Sequence, residues 1–153
     1  MRGMALAFAK RPQPLTIALA DTHPGNFMVD RAGLTWFVDL GKVHIGSPAI
    51  DLAHATLATS TIWHPDVGKV LSRAETQGLY DLYLEKVGEK QAPSLQPWLV
   101  PMRRPTWLRT TLFMARWRVQ TRSVHDPDDP TQCVHRAMLR RDTIQSIRSE
   151  RMS

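Results

Sequence analysis

Three polar side chains between positions 21 and 39 have the residue types and spacing that phosphoryl transfer needs. Asp21 stands five residues before Asn26, and Asp39 opens the segment Asp39-Leu40-Gly41. Carboxylate and amide oxygens are the ligands that Mg²⁺ prefers in proteins. A further carboxylate close to them could accept a proton from an attacking hydroxyl. These residues therefore indicate a site for metal-assisted transfer of a phosphoryl group.

Two short strands are predicted to bring the three side chains together. Residues 27–29 and 34–38 have the composition of strands, and residues 30–33 between them predict a hairpin turn. Asn26 lies about six residues before a turn centre near Ala32, and Asp39 lies about seven after it. In an antiparallel pair these positions meet at the same open end of the hairpin. We therefore expect Asn26 and Asp39 to converge beside the loop that carries Asp21.

The same three positions match the catalytic loop of protein kinases. In that loop the base Asp precedes a metal-binding Asn by five residues, and an Asp-x-Gly follows on the next strand turn. The segment 20–29 also resembles the loop of aminoglycoside phosphotransferases and choline-kinase-like enzymes, which commonly reads His-Gly-Asp-x-His-Pro-Gly-Asn. Leu19 stands where those enzymes often have the first His. Val38-Asp39-Leu40-Gly41 resembles their second metal-binding motif, and residues 46–53 resemble their Gly-x-Pro-x-x-Asp-Leu-Ala segment.

The resemblance implies a role for each matching residue. Asp21 would be the catalytic base, and Asn26 and Asp39 would hold Mg²⁺ with bound ATP. His23 and Asp51 would support the site without taking part in the chemistry. Residues that bind the rest of the nucleotide are not indicated. The chain would be the lobe of a small-molecule kinase that phosphorylates a hydroxyl.

The fold class that follows is α+β, with a protein-kinase-like C-terminal lobe in which a short β-hairpin core precedes a mostly helical subdomain. We expect an N-terminal tail at 1–14, a catalytic-loop and metal-binding core at 15–60, and a helical substrate lobe at 61–153. Before Asp21 the sequence has no glycine-rich loop and no lysine within a strand pattern. The resemblance therefore covers the C-terminal lobe, and the N-terminal ATP lobe is expected to be missing or to belong to a longer chain.

Local patterns predict the individual elements. Residues 15–19 suggest a buried strand, residues 41–48 a loop and residues 49–60 a helix. Ser72 and Glu75 form a capping box for a helix that Gly88 ends. Four prolines at positions 93, 97, 101 and 105 are expected to break the chain. A second long helix from Thr106 to about Val124 would bury a stripe made of Leu108, Leu112, Ala115 and Val119. A linker at 126–130 would precede a last helix capped by Thr131.

The charge of the chain lies in its C-terminal third. The net charge is +6, and residues 103–153, with eleven Arg and five acidic residues, carry all of it. A surface of this sign would repel a polycation, so we expect a neutral or anionic small-molecule acceptor. No nucleic-acid motif accompanies the arginines, so we do not expect a nucleic-acid partner. Lys42 could reach a phosphate, although a solvated side chain is the commoner role for such a lysine.

The remaining composition narrows the class of protein. A chain of 153 residues can bury a core of its own, and its single cysteine excludes an internal disulfide framework. No apolar run approaches the ~18 residues that span a bilayer, so we expect a cytoplasmic protein without a membrane partner. Two other functions stay open: a catalytically inactive, truncated remnant of such a kinase, and an Arg-rich module that binds polyanions.

Overall fold

A computed structural model describes residues 12–63, 68–121, 129–140 and 144 of the chain. Its four short strands are β1 (Thr16–Ala18), β2 (Phe27–Val29), β3 (Thr35–Phe37) and β4 (His44–Gly46). Its helices are α1 (Pro48–Thr56), α2 (Ala58–Thr61), α3 (Arg73–Val87), α4 (Ala92–Gln120) and α5 (Pro130–Met138). Helices combined with small antiparallel sheets make an α+β fold, as the sequence predicts.

The predicted hairpin is present in the predicted register. Strands β2 and β3 are antiparallel, with Phe27 opposite Phe37. The carboxylate of Asp30 closes the turn, since its Oδ1 accepts the N–H groups of Ala32 and Leu34, both at 2.9 Å. Gly33 takes φ 81°, a left-handed conformation that glycine adopts without strain. Local turn chemistry therefore sets this element.

The prediction of a loop at 41–48 is wrong, because most of this segment forms regular structure. Residues Leu40–Lys42 make a 3-10 turn, and β4 then pairs antiparallel with β1, Ala18 lying opposite His44. Strand β4 is only three residues long, too short to give an alternating pattern. Its partner strand lies far back in the sequence, so the pairing is visible only in the tertiary structure.

The strand at 15–19 exists, but its predicted burial is wrong for most of it. Ala18 is fully buried, whereas Leu15 and Ile17 are 67% and 65% exposed. A two-stranded ribbon has two faces, and side chains alternate between them. Helix α1 packs against β1 and covers one face only.

The core lies between the helices. Helix α4 packs along α1 and α3. The buried residues that meet there are Ala49, Leu52, Tyr80, Leu95, Trp98 and Leu99. A polar contact ties the same three helices, because Arg103 Nη1 donates to Thr56 Oγ1 at 2.6 Å and to the Tyr80 hydroxyl oxygen at 3.1 Å.

The boundaries of α3 follow the sequence prediction. Ser72 and Glu75 form both bonds of the capping box, and Gly88 ends the helix at φ 76°. The capping residue of α5 differs from the prediction. The helix begins at Pro130, and the Asp129 carboxylate accepts the N–H of Gln132 at 3.4 Å, so that Asp129 and not Thr131 lies in the capping position.

The expected chain break at the prolines is wrong. Helix α4 runs without interruption through Pro97, Pro101 and Pro105. A proline has no backbone N–H, so the carbonyl oxygen four residues before it loses its helical hydrogen bond. Here the prolines recur every four residues and therefore lie on one helix face, which is exposed. Carbonyls on that face can bond to water, so the helix tolerates all three.

The predicted buried stripe of α4 is also wrong, because the helix continues from further upstream. Leu108, Leu112 and Val119 are 48%, 60% and 66% exposed. The buried face starts with the core residues before Pro101 and continues at three- and four-residue steps. Its later members are Thr106, Thr110 and Met114.

Two predictions fall partly on residues that the structure does not describe. The N-terminal tail lies outside the described residues up to position 11, and the linker at 126–130 lies outside them up to position 128. The end of the second long helix near Val124 is outside them as well. Among the helices of the described residues, none combines the length and the apolar character that crossing a membrane requires.

Candidate active site

Asp21 follows β1 through a turn that Asp51 holds in place. Ala20 has φ 64°, and its N–H donates to Asp51 Oδ1 at 2.8 Å. The N–H of Leu19 donates to Asp51 Oδ2 at 2.7 Å. Thr22 adds a third bond, from its hydroxyl to the Asp51 carbonyl oxygen at 2.8 Å. Asp51 lies in the first turn of α1, so this helix fixes the backbone on both sides of Asp21.

The loop from 21 to 26 is closed by its own polar groups. His23 Nδ1 accepts the N–H of Gly25 at 3.1 Å, and the His23 carbonyl oxygen accepts the N–H of Asn26 at 3.0 Å. Asn26 is 8% exposed, and its Nδ2 donates to the Asp21 carbonyl oxygen at 2.9 Å. Since this bond engages Nδ2, the amide oxygen of Asn26 is the atom that can ligate a cation.

Asp39 enters the site from the end of the hairpin. The N–H of Val38 donates to the Asn26 carbonyl oxygen at 2.9 Å, so the two strands stay paired up to the residue before Asp39. Asp39 is exposed and has φ 62°. Ala20 and Asp39 are the two non-glycine residues with positive φ in the described part of the chain. Such strain is typical of functional sites, and here it lies directly before Asp21 and at Asp39.

The carboxylate of Asp21 lies between two basic side chains. Lys42 Nζ stands 2.5 Å from Asp21 Oδ2, and His23 Nε2 stands 4.0 Å from Oδ1. The Asp21 side chain is 17% exposed, whereas that of Lys42 is 64% exposed. Asp21 is therefore shielded from bulk water but open on one side. This is the setting that a proton acceptor for an incoming hydroxyl requires.

Two residues on the helical side support the loop. His54 of α1 is 7% exposed, and its Nδ1 stands 3.4 Å from Thr22 Oγ1. Burial, and then the positive charge of Arg109, lower the pKa of His54 to about 4, so its ring is neutral at pH 7. Trp63, just after α2, stacks on the His23 ring with centroids 5.8 Å apart.

The donor set fits a metal that is held together with phosphates. Within the described residues, no group of three or more His, Cys, Asp or Glu side chains converges on one point. Asn26 and Asp39 supply one amide and one carboxylate oxygen. Mg²⁺ is commonly bound by one or two protein oxygens, with substrate phosphates and water as its other ligands. The residues present thus suit Mg²⁺ that arrives with a nucleotide.

The structure brings together all of the residues predicted for the site. Asn26 bonds to Asp21 and is the last residue before β2, Asp39 follows β3 at the same open end of the hairpin, and His23 and Asp51 contact the loop. Their roles in catalysis and metal binding stay predictions. Sequence reasoning considered Lys42 as a phosphate contact but favoured a solvated side chain, and it did not place His54 or Trp63 at the site. A prediction of β4 would have indicated Lys42, because the pairing of β4 with β1 brings Lys42 close to Asp21. The local sequence gives no signal for His54 or Trp63.

A comparison with known proteins agrees with the motifs. A family model described as the phosphotransferase enzyme family matches residues 2–85, more than half of the 153 residues. No curated protein and no solved structure matches the chain significantly. The matched range contains every predicted site residue, and it confirms the resemblance to aminoglycoside phosphotransferase-like enzymes. The chain belongs to the phosphotransferase enzyme family.

Proposed function

We propose that this chain acts as the catalytic-loop lobe of a small-molecule kinase, with the protein-kinase-like arrangement that the motifs indicate. It would transfer the γ-phosphoryl group of ATP to a hydroxyl. The observation that carries the proposal is the Asn26–Asp21 hydrogen bond at the open end of one hairpin, whose register places Asp39 at the same end, in the chain order of a kinase catalytic loop. A cytoplasmic location stays a prediction.

The reaction would need little covalent chemistry from the protein. The acceptor oxygen bonds to the γ-phosphorus, the bond from that phosphorus to the β–γ bridging oxygen breaks, and ADP leaves. Asp21 would orient the acceptor hydroxyl and take its proton. Asn26 and Asp39 would hold Mg²⁺, which supplies neutralisation of the phosphate charge when it is bound. Asp51 would keep the Asp21 turn in its strained conformation.

The acceptor would be a neutral or anionic small molecule. Lys42 lies beside the candidate base, and its side chain is exposed. Four arginines of the long helix α4 are exposed as well: Arg104, Arg109, Arg116 and Arg118. The field of these cations would disfavour a polycationic acceptor.

Thermal unfolding of the 153-residue chain tests the proposal. We compare the melting temperature with Mg²⁺-ATP, with Mg²⁺ and with ATP, in the wild type and in Asp39→Asn. Asparagine tolerates positive φ, so this change removes the charge while keeping the turn. A ligand at about 100 times its Kd adds about 2.7 kcal/mol, a shift of several degrees. We expect that shift to require both metal and nucleotide, and to be much smaller in Asp39→Asn, because a neutral amide oxygen binds Mg²⁺ more weakly than a carboxylate does.

Asp81→Asn is the matched control. Asp81 is an exposed aspartate of α3 that bonds only to Gln77 among the described contacts, so its variant should keep the full shift. A cooperative transition with no shift in the wild type would contradict nucleotide binding and favour the inactive remnant. An equal shift in Asp39→Asn would contradict the metal site.

A further inference from the structure

Lys42 makes the closest contact with the candidate base. Its ammonium group stands 2.5 Å from Asp21 Oδ2, although the lysine side chain is 64% exposed. Most exposed lysines are free to sample many rotamers, and holding one in place costs conformational entropy. A single partner at this distance gives the pair a defined geometry.

The β1–β4 ribbon places both residues at one end. Ala18 and His44 form the pair at that end, Asp21 follows Ala18 by three residues, and Lys42 precedes His44 by two. The His44 ring also stands within hydrogen-bond distance of the Lys42 backbone, with Nδ1 3.1 Å from the carbonyl oxygen. The main chain thus sets the approach of Lys42 to Asp21.

The same short turn presents Lys42 and Asp39. Leu40–Lys42 form the 3-10 turn that Asp39 begins, with the Asp39 carboxylate accepting the N–H of Gly41 at 3.4 Å. The candidate metal ligand Asp39 therefore precedes this turn directly, and Lys42, whose ammonium group contacts the candidate base, is its last residue. This links the position of the base to the position of the metal ligand.

The two oxygens of Asp21 have different neighbours. Oδ2 faces the Lys42 ammonium group, whereas Oδ1 faces His23 Nε2 at 4.0 Å, which exceeds hydrogen-bond distance. His23 Nδ1 accepts the N–H of Gly25, so a neutral His23 ring carries its hydrogen on Nε2. Oδ1 is thus the oxygen that an acceptor hydroxyl can approach.

We infer that Lys42 is a positioning residue for Asp21. It holds Oδ2, fixes the rotation of the carboxylate and leaves Oδ1 for the hydroxyl proton. This inference rests on the proposed function, because Asp21 must be the base for its orientation to matter.

A second ion pair of the chain provides a matched control. Lys69 Nζ stands 2.5 Å from Glu75 Oε1, and the Lys69 side chain is also 64% exposed. Glu75 caps helix α3 and is not one of the site residues. Exposed ion pairs contribute little to stability, so Lys69→Ala should melt like the wild type. The Asp21 side chain is 17% exposed against 43% for Glu75, so Lys42→Ala should melt at a lower temperature. Both variants are therefore assayed at a temperature where each is folded, and a change in kcat should appear only in Lys42→Ala.

The first measurement is nuclear magnetic resonance of ¹⁵N-labelled lysine ammonium groups in the full chain. We expect the Lys42 signal to exchange slowly with water and to lose that protection in Asp21→Asn. The Lys69 signal should not change in this variant. A Lys42 signal that is the same in both proteins would overturn the inference, whatever the activity of the chain.

The second measurement is turnover of Mg²⁺-ATP with water as the acceptor. The water oxygen bonds to the γ-phosphorus, the bond to the bridging oxygen breaks, ADP leaves and Asp21 takes a water proton. We expect Lys42→Ala to lower kcat about tenfold or more while KM for Mg²⁺-ATP changes less than about twofold. Lys42→Arg should restore much of kcat, and Lys69→Ala should match the wild type.

The outcomes separate the inference from the proposed function. A wild-type chain without turnover would contradict the proposed function. An active wild type with an unchanged kcat in Lys42→Ala would overturn the positioning role. A rise in KM with constant kcat would also overturn it, because Lys42 would then bind the nucleotide phosphates without orienting the base.

Discussion

The carboxylate of Asp51 holds the backbone of Ala20 in a left-handed turn. The N–H of Ala20 donates to Asp51 Oδ1 at 2.8 Å, and the neighbouring N–H of Leu19 donates to Oδ2 at 2.7 Å. A left-handed conformation strains any residue that has a Cβ, and Ala20 has φ 64°. The two charge-assisted bonds offset this strain at the residue before Asp21. Helix α1 therefore determines where the candidate base points.

Asp51→Asn should destabilise the fold strongly for a single-atom change. The variant places an NH₂ group against one of two backbone N–H donors, which leaves that donor without an acceptor. We expect the free energy of unfolding to fall by about 2–3 kcal/mol, measured by urea denaturation. Asp81→Asn, at an exposed helical aspartate, should stay within about 0.5 kcal/mol of the wild type. Equal losses in the two variants would contradict the support role of Asp51.

His54 should make the stability depend on pH in a defined window. Its pKa is about 4 in the folded chain, because of burial first and the charge of Arg109 second, against 6.5 as the ordinary value. Between these values the unfolded chain binds a proton that the folded chain does not. The free energy of unfolding therefore falls as the pH drops from 6.5 toward 4, by about 1.4 kcal/mol per pH unit and about 3 kcal/mol in total.

Denaturation of His54→Gln at several pH values checks this contribution. Below pH 6.5 the free energy of unfolding of the variant should depend less on pH than that of the wild type. Above pH 6.5 the two proteins should show the same dependence. Identical slopes in the wild type and His54→Gln would show that His54 titrates normally and is not buried as described.

Pro101→Ala should stabilise the long helix α4. Alanine restores the N–H that the Pro97 carbonyl lacks, and an interior proline is about 3 kcal/mol less favourable than alanine in a helix. The unfolded chain of the variant is also more flexible, which lowers its free energy of unfolding by about 1 kcal/mol. We expect a net gain of about 1–2 kcal/mol, seen as a higher melting temperature.

Pro93→Ala tests whether the effect depends on the helix interior. Pro93 is the second residue of α4, where no helical N–H bond is lost, so its replacement should be neutral within about 0.5 kcal/mol. If Pro101→Ala were also neutral, the chain would break near that residue, as the proline pattern alone predicts.

Local chemistry in the sequence determined the elements that carry the site. Asp30 and Gly33 form a turn that sets the hairpin register, and this register alone brings Asp39 to the end where Asn26 lies. Ser72 and Glu75 likewise cap α3 with bonds inside one helical turn. Such interactions join residues a few positions apart, so their types and spacing are sufficient to predict them.

Contacts between distant segments decided the rest. The pairing of β1 with β4 turned a predicted loop into a strand and brought Lys42 to Asp21, 21 residues away in sequence. Helix α4 packs against α1 and α3, continues through prolines that lie on its exposed face, and buries Met114 while Leu112 stays exposed. Burial and long-range pairing depend on which surfaces meet. Only the tertiary structure contains that information, because three-residue strands and exposed prolines leave no periodic pattern in the sequence.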